Sequence, residues 1–93
     1  MIKNIACSET AKIFSRARSR KLPQEIQQRA YAKLVQLDSA IKIDDLRLPP
    51  SNKLEALKGD LGGYWSIRIN NQWRICFQWN GSDAENVQIM DYH

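Results

Sequence analysis

Apolar side chains at Ile26, Ala30, Leu34, Leu37 and Ile41 recur at spacings of four, four, three and four. That rhythm follows the helical repeat, so it predicts one buried helix face, with Gln27, Gln28, Arg29 and Lys33 turned to solvent. Pro23 suits the first turn of this helix, where a missing N–H leaves nothing unsatisfied. Upstream, "MIKNIA" alternates as a short strand would, with Ile2 and Ile5 as its apolar anchors. Ser8 is placed to cap a short helix carrying Ala11, Ile13 and Phe14, with Glu9 favourably in its first turn. "SRARSRKLP" then interrupts the pattern, and "DDLRLPPSN" predicts a loop, because paired prolines suit neither a helix interior nor a central strand.

From Tyr64 onward the period shortens to two. "YWSIRIN" sets Trp65, Ile67 and Ile69 on one face and Tyr64, Ser66, Arg68 and Asn70 on the other. "WRICFQW" sets Trp73, Ile75, Phe77 and Trp79 inside, with Arg74, Cys76 and Gln78 opposite, and "NVQIMDYH" continues with Val87 and Ile89. The short polar connections "NNQ" and "NGSDAE" fit an antiparallel meander. A one-residue slip would turn each apolar set to water, so burial fixes the register. The predicted class is α+β: a small, antiparallel-dominated sheet with N-terminal helices packed on one face. Its 93 residues suffice for one domain, residues 1–93, and leave little room for a second core.

Composition narrows the setting. No apolar run approaches the roughly 18 residues that a membrane span needs, and "MIKNIACSET" is too short and polar for a signal peptide, so the cytoplasm is the default expectation. Cys7 and Cys76 lack the neighbouring cysteine and histidine ligands of a structural zinc site, and both read as small buried thiols. No metal and no cofactor is expected. Charge is uneven: residues 1–40 hold eight basic and three acidic groups, and residues 41–93 hold six and seven. A basic half beside a near-neutral half suggests a surface that faces a polyanion such as nucleic acid.

Four groups could carry chemistry. The ending "DYH" supplies Asp91, Tyr92 and the chain's only histidine, His93; "KLEALKGDLGGYW" supplies Lys53, Glu55 and Lys58 before a glycine-rich turn. Arg68 and Arg74 project from one side of the predicted sheet, and Arg16, Arg18, Arg20 and Lys21 form a basic segment. Each has a plainer reading: a terminal histidine that frays, a turn without the phosphate-loop spacing, solvated arginines, a flexible connection. Together, a carboxylate, an imidazole, a lysine and an arginine are what metal-free RNA cleavage requires. The 2′-OH must lose a proton, the 5′-oxygen must gain one, and the phosphorane charge must be stabilised.

"NKLEALKGDLGGYWSIRINNQWRICFQW", followed by the ending "MDYH", resembles the HigB branch of the RelE/ParE toxin superfamily. The likeness runs from the opening "MIKNI" to the end and is most specific between Lys53 and His93. It implies a RelE-like fold related to compact microbial ribonucleases, and a bacterial type II toxin that cuts mRNA in the ribosomal A site. The implied partners are the ribosome with its mRNA and a HigA-like helix-turn-helix antitoxin, with operator DNA contacted only through the antitoxin complex. By the resemblance, Lys58, Asp91, Tyr92 and His93 match catalytic positions, and Arg74 matches a basic position facing the scissile phosphate. Glu55 departs from relatives that carry histidine there, which leaves either Asp91 or Glu55 as the base, with His93 as the acid or in the reversed role. Tyr92 would stack on or hydrogen-bond to a nucleotide, and Arg16, Arg18, Arg20, Lys21, Lys53 and Arg68 would contact RNA. Two rival readings remain: a ParE-like poison of DNA gyrase, and a non-catalytic basic module that binds nucleic acid.

Overall fold

The computed structural model describes residues 1–91. Two helices, α1 (Ser8–Phe14) and α2 (Gln24–Ser39), precede three short 3-10 turns: η1 (Ile43–Arg47), η2 (Pro50–Asn52) and η3 (Gly59–Leu61). Four strands, β1 (Glu55–Ala56), β2 (Tyr64–Arg68), β3 (Trp73–Trp79) and β4 (Ala84–Asp91), form one antiparallel sheet in chain order. The expected α+β class is the observed one. Ile13, Ile26, Ala30, Leu34 and Leu37 from the helices meet Ile67, Ile75, Phe77, Val87 and Ile89 from the sheet in one buried cluster.

Several local expectations change. Cys7, not Ser8, is the N-cap of α1, and Ser8 is its first helical residue. Ile41 is 79% exposed because α2 stops at Ser39 and the chain turns away at Ala40. The Asp45 carboxylate secures this turn by accepting the backbone N–H groups of Ile41 and Lys42. "MIKNIA" makes no continuous strand; it bridges β4 in parallel at Ile2–Ala84 and Ile5–Val87 only. The two-residue strand β1 has no counterpart in the hydrophobic pattern, since two positions cannot display a period.

β4 holds one further device. Its register against β3 shifts between Cys76 and Gln78, beside Asn86, whose φ of 51° is left-handed. The extra residue lets Ala84 and Val87, three positions apart, both point into the core. Asn86 is held by Asn4 through two hydrogen bonds, and its amide donates to Gln78. Asparagine is among the side chains that tolerate this backbone region best.

On the face of the sheet turned away from the helices, Cys76 is buried as expected, but so are Ser66 and Arg74, the latter only 6% exposed where a solvated arginine was the plainer reading. Burial on both faces of β3 leaves this strand arginine a largely buried charge, and the groups that hold it mark where the site lies.

Candidate active site and a cationic cleft

Arg74 sits on the inner strand β3, and neighbours from other elements hold its guanidinium. Its Nε–H donates to Ser66 Oγ at 2.7 Å, and an Nη2–H donates to the Lys53 carbonyl at 2.8 Å. The Glu55 carboxylate stands 3.6 Å from the same Nη2, and its side chain is 50% exposed. Lys53 can present its carbonyl because it ends η2 in the left-handed conformation, with φ 47° and ψ 51°. The sheet register explains the convergence: Glu55 pairs with Ser66, which pairs with Cys76, two residues along from Arg74. A carboxylate open to solvent thus lies beside an arginine whose position is set by the fold.

Lys58 is exposed at the head of η3, two residues beyond β1, and Gly59 after it needs its φ of 69° to make the turn. Asp91 stands apart. It pairs with Trp73 at the sheet end and accepts a hydrogen bond from Gln72 Nε2 at 3.0 Å. Side chains alternate along a strand, so Asp91 has the parity of Ile89, whereas Arg68, Arg74 and Met90 share the other face. Of the two carboxylates named for proton transfer, only Glu55 shares a face with Arg74. Tyr92 and His93 lie outside the described residues.

A cleft of about 560 Å³ opens between α2, η2 and the β2–β3 turn, lined by Arg29, Lys33, Ser51, Lys53, Arg68, Ile69, Asn70 and Asn71. Lys53 and Arg68 were expected to contact RNA. Arg29 and Lys33 were expected only to face solvent, although their spacing of four already set them on one helix stripe. Lys33 is half-buried, and its ammonium donates to the side-chain oxygen of buried Asn52. Burial first, and then the positive charge of Arg29, push the Lys33 ammonium below its ordinary lysine value.

The basic segment is elsewhere. Arg16 lies 4.9 Å over the Tyr31 ring, and it helps line a separate groove of about 260 Å³ with Arg18, Gln24 and Gln28. The segment is also less loose than its composition suggests. Ser19 is buried, donating to the Glu9 carboxylate at 2.6 Å, and Gln27 bonds both the N–H and the carbonyl of Ser19. Gln27 is therefore a structural clamp and not a solvated helix residue.

Among the described residues no three cysteine, histidine, aspartate or glutamate side chains gather as a metal site would require, and no helix is long and apolar enough to cross a membrane.

The model of the HigB-like toxin family, described as the RelE-like toxin of the type II toxin–antitoxin system HigB, matches residues 9–93. The chain belongs to the HigB-like toxins. Toxin HigB-1 of Vibrio cholerae serotype O1 is 43% identical to it over 72 residues, which cover 77% of this chain and 76% of that one. The protein named Endoribonuclease HigB from Proteus vulgaris is 34% identical over 93 residues, spanning the whole of both chains. As a HigB-like type II toxin, the chain implies an antitoxin as its partner.

Proposed function

We propose that this HigB-like toxin is an endoribonuclease that cuts mRNA on the ribosome, by attack of a ribose 2′-OH on the adjacent phosphate without the help of a metal ion. The observation that carries the reading is the pairing of solvent-open Glu55 with immobilised Arg74 at 3.6 Å. Its relative from Proteus vulgaris, alike over its full length, bears the name of an endoribonuclease.

Glu55 takes the 2′-OH proton, and Arg74 and Lys58 hold the charge that builds on the non-bridging phosphate oxygens. Arg74 suits this role because its donors are oriented before substrate arrives. His93 gives a proton to the departing 5′-oxygen, and Tyr92 stacks on or hydrogen-bonds to a nucleotide. Asp91 supports the chain end that carries them and takes no proton itself. The products are a 2′,3′-cyclic phosphate and a 5′-hydroxyl. The toxin works as a single domain in the cytoplasm, its antitoxin is a HigA-like helix-turn-helix protein, and operator DNA is reached only through their complex.

Purified toxin incubated with mRNA, with and without programmed ribosomes, tests the reading. Cleavage with cyclic-phosphate ends, much faster on ribosomes, is expected. Intact mRNA together with inhibited DNA supercoiling would overturn it in favour of gyrase poisoning.

A further inference from the structure

Arg29, Lys33, Lys53 and Arg68 bring four positive charges to one cleft, and no acidic residue is among the described residues that line it. Among the described residues none of the four takes part in an ion pair, although Lys12, Arg47 and Arg74 elsewhere each meet a carboxylate. The two helix cations are instead anchored by neutral oxygens: Arg29 Nη1–H on the Ile69 carbonyl at 3.3 Å, Lys33 on Asn52. Asn52 is itself locked, its Nδ2 donating to Gln36 and to the carbonyls of Leu46 and Leu48. Arg68 pairs directly across the ladder with Arg74. Glu55 offsets the charge of Arg74, and an anion in the cleft would do the same for Arg68. The polar side chain of Asn70 is also oriented, since its Oδ1 accepts the N–H groups of Gln72 and Trp73 at 2.8 Å each.

Lys53 belongs to both places. Its carbonyl holds Arg74, and the same residue lines the cleft. Lys53 and the Arg68–Arg74 register pair thus join the cleft to the place where a reacting phosphate would meet Arg74.

We propose that the cleft of Arg29, Lys33, Lys53 and Arg68 is a second phosphate site, which holds the phosphate of a neighbouring nucleotide in the RNA strand whose scissile phosphate lies at Arg74. This rests on the ribonuclease reading and adds to it a path for the strand. The cleft reads charge and not base identity, so its contribution is to affinity and alignment.

The test is binding of a short single-stranded RNA, made uncleavable by 2′-O-methyl groups, across a range of salt. Arg29→Gln/Lys33→Gln should bind about tenfold more weakly at low salt, and its salt slope should fall by about 0.7, for the one phosphate no longer neutralised. Lys53→Asn keeps a residue suited to the left-handed backbone and leaves the carbonyl that holds Arg74, so it reports on the cleft even if the double variant folds poorly. Its slope should fall in the same direction, by no more than about 0.7. Lys3→Gln, distant on the opening segment, should match wild type. Wild-type slopes in both cleft variants, or loss of antitoxin affinity with RNA binding intact, would overturn the proposal. Cleavage that persists with unaltered RNA slopes would remove the second site and leave the nuclease standing. RNA bound through the cleft but never cut would do the reverse.

Discussion

Ser66 and Arg74 are joined diagonally across the β2–β3 ladder: the Arg74 Nε–H reaches Ser66 Oγ at 2.7 Å, although the strand partner of Ser66 is Cys76. Ser66 is fully buried, so no water can replace its hydroxyl cheaply. Ser66→Ala should destabilise the toxin by about 1.5–3 kcal/mol, the usual worth of a hydrogen bond to a charged group. Because Arg74 would still be present but less well aimed, kcat should fall while KM stays near wild type. Denaturant unfolding and steady-state cleavage of mRNA on ribosomes check both parts.

The two carboxylates should separate kinetically. Glu55→Gln removes the proton acceptor beside Arg74 and should slow single-turnover cleavage by roughly 10²–10⁴-fold. Asp91→Asn keeps the partner of Gln72 and should slow it less than tenfold. The opposite order would return the base to Asp91.

His93→Gln tests the proposed acid. Polarity and approximate size are kept, and proton transfer near neutral pH is lost. Single-turnover cleavage should drop by about 10²–10⁴-fold, with melting within about 0.5 kcal/mol of wild type. A rate within threefold of wild type would remove His93 from the mechanism.

Neutralising Arg16, Arg18, Arg20 and Lys21 should weaken ribosome binding without changing the rate of the bound complex. The salt slope should change by about 0.7 for every phosphate these side chains cease to neutralise, if the RNA is single-strand-like. An unchanged slope would mark the segment as a solvated connection. Ser19 is left in place, so its anchorage to Glu9 and Gln27 should keep the loop folded.

Glu9 should make stability acid-sensitive. The Ser19 hydroxyl and then Lys12 hold its carboxyl below the usual glutamate value. A carboxylate with a lowered folded-state value adds stability that is complete above its unfolded value, about 4.3. That stability is lost as pH falls through the lowered value. Glu9→Gln should therefore lower Tm at pH 7 and flatten the loss of Tm below about pH 4. Parallel melting curves for both proteins across that range would contradict it.

The sequence displayed the elements whose residues repeat. Four of the five apolar positions assigned to α2 are buried, and the alternation in β2 and β3 marks the side that faces the helices. It could not display what depends on contacts between distant segments. The burial of Arg74 is such a case, since its partners include Ser66 on β2 and Lys53 and Glu55 in the segment before it. Lys33 and Gln27 look like solvated helix residues until Asn52 and Ser19 are brought to them. The bulge at Asn86 likewise leaves no mark in a hydrophobic pattern, and only its asparagine hints at a left-handed backbone. The cationic cleft was half legible: Lys53 and Arg68 stood out beside other strand residues, whereas Arg29 and Lys33 were hidden in a helix already explained by its core face.

The parallel bridges from Ile2 to Ala84 and from Ile5 to Val87 also bear on timing. Asn4 and Asn86, which bond beside them, are 82 positions apart. Synthesis proceeds from the N-terminus, so the opening segment waits unpaired until residues 84–87 have been made. Closing so long a loop carries a large entropic cost, and contacts of this kind slow folding. The helices can settle early, but the strand that leads to Asp91 gains its outer neighbour at the end. A newborn toxin therefore completes its sheet only once β4 has been made and the opening segment has returned to it.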